Sequence, residues 1–216
     1  MSGGPDLSER RLYLCTPDRP DLAAFLGACI EGGVDVVQLR DKELEARPLL
    51  ARAKLAATVC RDYGVPFVLN DRPDLALEVG ADGVHVGQDD APVSLARRIL
   101  GPEAIVGLST HRRADLEGAT GQEVTYISAG PVEATPTKPG RAGTGLDYVT
   151  RASACSSVPV FVTGGVTPEK IGALMGAGVR HFVVVRYLTQ APDARSAARA
   201  LRATIDRALR SAPAPA

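Results

Sequence analysis

No charge excess, no long apolar run and no patterned cysteines occur in this sequence, and each absence closes off a class of function. The 25 Lys and Arg balance 25 Asp and Glu. That removes the basic excess or stripe that a broad nucleic-acid surface needs, although clustered charge can still hold a small anion. No apolar run approaches the roughly 18 residues of a membrane span. The opening MSGGPDLSER has no apolar core of a signal peptide, so a cytoplasmic location is expected. The four cysteines, Cys15, Cys29, Cys60 and Cys155, form no C-x-x-C pair and have no histidine at metal spacing. Free thiols filling core space are expected from them. The turn after the first apolar run, CTPDRPD, lacks the G-x-G-x-x-G pattern of a dinucleotide-binding sheet. Nothing in the pattern suggests a Ser-His-Asp or Cys-His arrangement for acyl transfer.

The composition that remains is 45% hydrophobic and 23% charged over 216 residues, enough to bury a large core without staples. Short β-branched runs alternate with longer helical patterns along the whole chain. The strand candidates are RLYLCT, VDVVQLR, PFVLN, DGVHV, AIVGLST, VTYISAG, PVFVTGG and HFVVV. Between them lie Ala/Leu/Arg-rich segments such as DLAAFLGACIEGG and LEARPLLARAKLAATVCRDYG, with apolar residues three and four apart. Gly32, Gly64, Gly80, Gly101 and Gly178 sit where helix C-caps belong, and a last helix is expected from about Asp193 to Arg210.

Strands alternating with helices imply parallel pairing and right-handed crossovers. Eight such units close a barrel, and the length lies near that fold's lower limit of about 200 residues. An open doubly wound sheet is the competing architecture. The expected organisation is α/β: a flexible N-terminus over 1–10, a single compact (β/α)8 TIM barrel over 11–210, and a flexible Pro/Ala-rich tail over 211–216.

In a barrel, chemistry belongs at the C-terminal ends of the strands, and those ends are polar here. The stretch VVQLRDK starts as a buried strand and turns polar. Gln38, Arg40 and Lys42 alternate, so they share one face, toward the barrel mouth. Arg40 either pairs with a carboxylate such as Asp41 or waits for an anion, for which Arg offers a planar fork and Lys a point charge. Asn70 and Asp71 end the third strand. His85, pointing inward or outward, is followed by Gln88, Asp89 and Asp90. Ser109, Thr110 and His111 end the fifth strand, with His111 at a helix start where capping is expected. His181 begins the eighth strand at the opposite end and reads as structural.

Asp71 and Asp90 are the candidate ligands for a hard cation, which one or two carboxylates plus substrate phosphates typically hold. Each also precedes a proline-led helix start and would serve as an N-cap. TGGVTPEK fits the phosphate site usual after strands 7 and 8 of such barrels, or a plain strand–helix turn. EATPTKPGRAGTG sets Thr135, Thr137, Lys138 and Arg141 among glycines and prolines, as a lid over a polyanion or as a long loop.

QLRDK, LNDR, ADGVHVGQDD, GLSTH, YISAGPVEATPTKPG and FVTGGVTPE occur in this order from about Leu12 to Leu188, and in that order the chain resembles thiamine-phosphate synthases. The resemblance implies a (β/α)8 barrel. It also implies condensation of 4-amino-2-methyl-5-(diphosphooxymethyl)pyrimidine with a thiazole phosphate, or its carboxylated form, to thiamine phosphate and pyrophosphate. It further implies that Gln38, Arg40, Asp41, Lys42, Asn70, Ser109 and Lys138 hold the pyrimidine pyrophosphate. Among these, Arg40, Lys42, Ser109 and Lys138 would serve the chemistry. By the same resemblance Asp71 and Asp90 bind Mg2+, and Thr135, Pro136, Thr137, Gly165, Val185 and Arg186 surround the thiazole phosphate.

One position departs from the pattern. Many members have a small hydroxyl where this chain has Arg186, which is expected to reach the thiazole phosphate. The implied mechanism is dissociative, through a pyrimidine carbocation, and needs no protein nucleophile. A thiazole tautomerase relative, another phosphate-binding barrel and a non-catalytic ligand-binding module are the rivals. The first tends to lose the Asn-Asp step, the second carboxylate and the TPTK loop, all of which are present here. The partners implied are small phosphorylated substrates, without nucleic acid or membrane. A homo-oligomer is compatible with the sequence, which does not set the number of copies.

Overall fold

The computed structural model describes residues 6–135 and 142–211. Its eight strands fall where the β-branched runs lie: β1 Leu12–Thr16, β2 Val36–Leu39, β3 Phe67–Asn70, β4 Gly83–Val86, β5 Ile105–Thr110, β6 Tyr126–Ala129, β7 Val160–Val162 and β8 His181–Val184. Each pairs in parallel with the next, and β8 closes on β1 through Tyr13↔Val183. The result is the closed parallel barrel expected from the unit count.

The helices between them are α1 Leu22–Glu31, α2 Ala46–Asp62, α3 Pro73–Val79, α4 Val93–Leu100, α5 Arg113–Ala119, α6 Gly145–Cys155, α7 Ile171–Gly176, α8 Arg186–Thr189 and α9 Ala194–Ser211. A single turn of 3-10 helix, Pro168–Lys170, precedes α7. Strand alternation splits the apolar residues into two cores. Val37, Leu39, Leu69, Val84, Val86 and Val184 face the helices. Tyr13, Cys15, Val36, Val68, Ile105, Tyr126, Phe161 and Val183 fill the barrel. Gly107 makes this filling possible: a Cβ there would lie 2.2 Å from the Tyr126 ring.

Several expectations need correction. Leu7 is buried within the inner core, at 1% exposure, and Arg10 O contacts His181 Nδ1 at 2.6 Å. Leu7 and Arg10 therefore tie residues 6–10 to the barrel floor, while Asp6, Ser8 and Glu9 stay exposed. Residues 1–5 and 212–216 lie outside the described residues, and Ser211 belongs to α9. Gly32, Gly80 and Gly101 cap their helices as expected, whereas Tyr63 and Ala177 take the cap positions of α2 and α7, one residue before Gly64 and Gly178. Cys29 and Cys60 are buried, and burial pushes both thiols up to about 12; Cys155 is exposed and fills no core.

Candidate active site

A cavity of about 560 Å³ opens at the C-terminal ends of the strands. The pleat of β2 builds its first wall. Val36 lies inside, so Gln38 must too; it is 4% exposed, with Nε2 3.5 Å from Asn70 Oδ1 on β3. Arg40 follows on the same face and lines the cavity. Its backbone N donates to Thr16 O at 2.8 Å. Among the described residues its guanidinium makes no ion pair, so the pairing with Asp41 does not form.

Asp41 is turned to other work and is not part of the cavity wall. Its Oδ1 accepts from Glu43 N and Leu44 N at 3.0 and 3.1 Å, and its Oδ2 accepts from Asp18 N at 3.1 Å. The structure does not bring its carboxylate together with Gln38, Arg40 and Lys42: its oxygens are engaged with backbone, and it ties the β1 and β2 loops together.

Lys42 reaches across to β3, with Nζ 2.7 Å from Asp71 Oδ2. Asp71 has φ +61, a left-handed conformation that costs a non-glycine residue energy and tends to mark functional positions. Its N–H donates to His85 O at 2.8 Å. Neither Asp71 nor Asp90 caps a helix. Arg72 stands at the start of α3 and Pro92 at the start of α4, both without side-chain caps. Asp90 Oδ2 instead accepts from Gly87 N at 2.8 Å.

The Asp71 and Asp90 carboxyls hydrogen-bond each other. Burial holds Asp71 above the usual carboxylate range, aided by Asp90 and opposed by Lys42. Burial also works against Asp90 ionising, but hydrogen bonds from Asp71 and the Gly87 amide outweigh it and place Asp90 below that range. Among the described residues no cluster of three or more His, Cys, Asp or Glu converges on one point. Asp71, Asp89 and Asp90 are the carboxylates that line the cavity among the described residues, with Lys42 beside Asp71.

His85 points inward. Its Nε2 lies 2.9 Å from Ser109 Oγ and its Nδ1 lies 2.9 Å from Tyr126 Oη. A Ser–His contact therefore exists where the sequence suggested none. It is not a triad, because a phenol and not a carboxylate stands behind the imidazole. Gln88 Nε2 donates to Ser109 O at 2.6 Å, fixing the end of β5. His111 lines the cavity and its Nδ1 meets Gly130 O. It does not cap α5. The buried Asp115 carboxylate reaches back instead, accepting from His111 N at 2.9 Å and Arg112 N at 3.3 Å. Burial pushes the Asp115 carboxyl up, but these bonds and Arg112 hold it below its ordinary value. His181 lies at the opposite end, against Arg10 O, as expected.

The far wall comes from β6, β7 and β8. Val132 N donates to Thr163 O at 2.8 Å, locking the β6 and β7 loops together. Gly164 has φ +95, and a Cβ there would lie 2.5 Å from Pro131 Cβ and 2.7 Å from Val132 N. Gly165, Thr167 and Thr135 also line the cavity, and Lys170 Nζ pairs with Glu133 Oε1 at 2.6 Å beside them. Pro136, Thr137, Lys138 and Arg141 lie outside the described residues. β8 ends at Val184; Val185 and Arg186 both reach the cavity, Arg186 as the first residue of α8 and exposed. Tyr13 and Tyr126, at the cavity floor, were not singled out from sequence, where their hydroxyls have no local motif.

Comparison with known proteins agrees with this fold. A family model described as thiamine monophosphate synthase matches residues 12–188. A thiamine-phosphate synthase of Thermobifida fusca is 47% identical, covering 91% of this chain and 92% of that protein. One from a Mycobacterium strain, KMS, is 44% identical, covering 92% and 94%. The solved thiamine phosphate pyrophosphorylase of Pyrococcus furiosus superposes with a TM-score of 0.84 at 29% identity, covering 92% of this chain and 96% of that one.

Proposed function

This chain belongs to the thiamine monophosphate synthase family, and on that premise we propose that it is a transferase forming thiamine phosphate from two phosphorylated halves. The substrates are 4-amino-2-methyl-5-(diphosphooxymethyl)pyrimidine and thiazole phosphate, or the carboxylated thiazole. Pyrophosphate leaves the pyrimidine methylene, the electron-rich aminopyrimidine carries the positive charge, and the thiazole nitrogen attacks the carbon.

The observation that carries this reading is the wall formed by Arg40, Lys42, Asp71 and Asp90 at one side of the cavity. Such chemistry needs charge stabilisation on the leaving group and exclusion of water from the cation more than it needs a nucleophile. Arg40, with no carboxylate partner among the described residues, is available as a fork for phosphate oxygens. Gln38 and Asn70 orient the substrate from the floor, and Ser109 adds a hydroxyl at the end of β5. Asp90 opposes the charge of Asp71, so a cation placed between the two carboxyls relieves that repulsion. Mg2+ bound there would neutralise the departing pyrophosphate.

On the far wall, Gly165, Val185, Arg186 and Thr135 suit the thiazole phosphate; Pro136 and Thr137 are assigned to the same phosphate and Lys138 to the pyrophosphate by the family resemblance. Arg186 stands where the family often has a small hydroxyl, and its guanidinium is assigned here to the thiazole phosphate. No helix among the described residues is long and apolar enough to cross a membrane. A cytoplasmic transferase of small phosphorylated substrates accommodates that.

The test is incubation of the protein with both substrates and Mg2+. Thiamine phosphate should accumulate only when both halves are present. Conversion of the thiazole alone, with the pyrimidine untouched, would indicate the tautomerase activity instead.

A further inference from the structure

A line of four hydrogen-bonding side chains runs from the barrel floor to the mouth. Tyr13 Oη lies 2.8 Å from Tyr126 Oη, Tyr126 Oη 2.9 Å from His85 Nδ1, and His85 Nε2 2.9 Å from Ser109 Oγ. The four residues sit on β1, β6, β4 and β5 and are all under 9% exposed. The rings pack on one another: His85 stacks on Tyr126 at 5.5 Å between centroids, and Phe161 wedges edge-on against both tyrosines.

Heavy-atom positions leave two continuous directions for the protons in such a chain; a convergent arrangement, with Tyr13 and His85 both donating to Tyr126, strands the buried Tyr126 O–H instead. In one direction, every donor points down. Ser109 then donates to His85, His85 to Tyr126 and Tyr126 to Tyr13, and the Tyr13 O–H is left without an acceptor. In the other, every donor points up, and the last free proton is that of Ser109 at the cavity. Tyr13 decides between them. It is 1% exposed, its hydroxyl has Tyr126 as its hydrogen-bond partner among the described residues, and the inner core around it is Leu7, Cys15, Val36, Val68, Ile105 and Phe161, in which the Cys15 sulfur is at best a weak acceptor. A buried donor without an acceptor carries its full desolvation cost. Burial also lifts both phenols above their ordinary range, so each keeps its proton to give.

We propose that Tyr13, Tyr126 and His85 are positioning residues that lock the imidazole as its Nε2–H tautomer and so present the Ser109 hydroxyl to the cavity as a hydrogen-bond donor for an anionic phosphate oxygen. An imidazole protonated at Nε2 donates to Ser109 Oγ and has no lone pair there to take the serine proton. The Ser–His contact is thereby barred from acting as a nucleophile–base pair, although the distance would allow it. The hydroxyl is charge-assisted when an anion arrives, and the upward donors reinforce one another. The identity of the anion as pyrophosphate rests on the reading under Proposed function; the direction of the chain does not.

Two measurements on the full chain test this. Long-range proton–nitrogen correlation of the 15N-labelled protein reports the three histidines individually. His85 should carry its proton on Nε2 near neutral pH, and Tyr126→Phe should mix the tautomers. A proton on Nδ1, or on both nitrogens, in the wild type overturns the proposal. The second measurement is a cycle of Tyr126→Phe and Ser109→Ala on the dissociation constant for pyrophosphate with Mg2+. Tyr126→Phe should weaken binding roughly tenfold with Ser109 present, and by less than about twofold without it. The same factor in both backgrounds, or none in either, contradicts action through Ser109. If Tyr126→Phe fails to fold, Tyr13→Phe serves, since it removes the donor that sets the direction. A wild-type chain that ignores pyrophosphate strikes at the proposed function, and the tautomer then decides the relay alone.

Discussion

Lys42 Nζ lies 2.7 Å from Asp71 Oδ2, joining the end of β2 to the end of β3 across the cavity mouth. The two residues are 29 positions apart in sequence, and Asp71 adopts a left-handed backbone, at φ +61, in this arrangement. A cation against a carboxylate that itself shares a hydrogen bond with Asp90 is a site organised around positive charge.

Removing Lys42 should therefore act on both substrate and proton. Lys42→Met is expected to lower kcat/KM for the pyrimidine diphosphate by about one to two orders of magnitude. Burial and Asp90 raise the Asp71 carboxyl, and Lys42 opposes them. Without Lys42 the carboxyl rises further, so the acid limb of the pH–rate profile should move to higher pH. A limb that stays in place or moves down would show that Asp71 does not set it.

Asp41 should matter without touching substrate. Its carboxylate accepts from Asp18, Glu43 and Leu44 amides and holds the loop on which Arg40 and Lys42 sit. Asp41→Ala leaves those amides to solvent and should cost about 1 kcal/mol of stability. It should also cost about tenfold in kcat/KM through misplaced cations. In an Arg40→Ala, Lys42→Ala background the same change should cost stability and little further activity, as thermal melts and initial rates together would show.

The β5–α5 corner offers a stability test with a definite sign. Asp115 is depressed below its ordinary value by Arg112 and the His111 and Arg112 amides, against the opposing effect of burial. A depressed carboxyl contributes stability above its unfolded value of about 3.9, and that contribution is lost as pH falls through the folded value. Asp115→Ala should thus be less stable than wild type by about 1 kcal/mol near pH 7. The gap should shrink below about pH 3.9, as read by urea unfolding across that range. A gap that widens on acidification would contradict the assignment.

Gly164→Ala should damage the far wall more than its single methyl suggests. The position has φ +95 and faces Pro131 and Val132 within 2.7 Å of any added Cβ. About 2 kcal/mol of stability should be lost. KM for the thiazole phosphate should rise more than KM for the pyrimidine diphosphate, since the β6 and β7 loops carry that side of the cavity. Parallel titration of the two substrates separates the effects.

Much of the barrel was legible because the strands obey period-two logic: Val36 in, Val37 out and Gln38 in follows from the pleat alone. Helices α5, α6 and α8 were harder. Their apolar faces are short, and α8 is one turn set by its place after β8. Leu7 looked like part of a frayed end, because nothing local marks a residue that plugs a barrel floor. Asp71 and Asp90 read equally well as helix caps until their surroundings placed Arg72 and Pro92 at those starts. The backbone partners of Asp41 were not legible, because they depend on loop geometry. The Tyr13–Tyr126–His85–Ser109 line links residues as far as 113 positions apart, a relation that only the closed sheet creates.

The central claim is that the cation-and-carboxylate wall at the ends of β2, β3 and the β4 loop captures pyrophosphate with Mg2+ and lets it leave. The most direct measurement follows pyrophosphate and thiamine phosphate together, with both substrates supplied, in wild type and in the Asp71→Asn, Asp90→Asn double variant. The account predicts one pyrophosphate per thiamine phosphate in wild type, loss of both on chelating Mg2+, and a rate at least about a hundredfold lower in the double variant. Undiminished thiamine phosphate formation under chelation, or in the double variant, would contradict it.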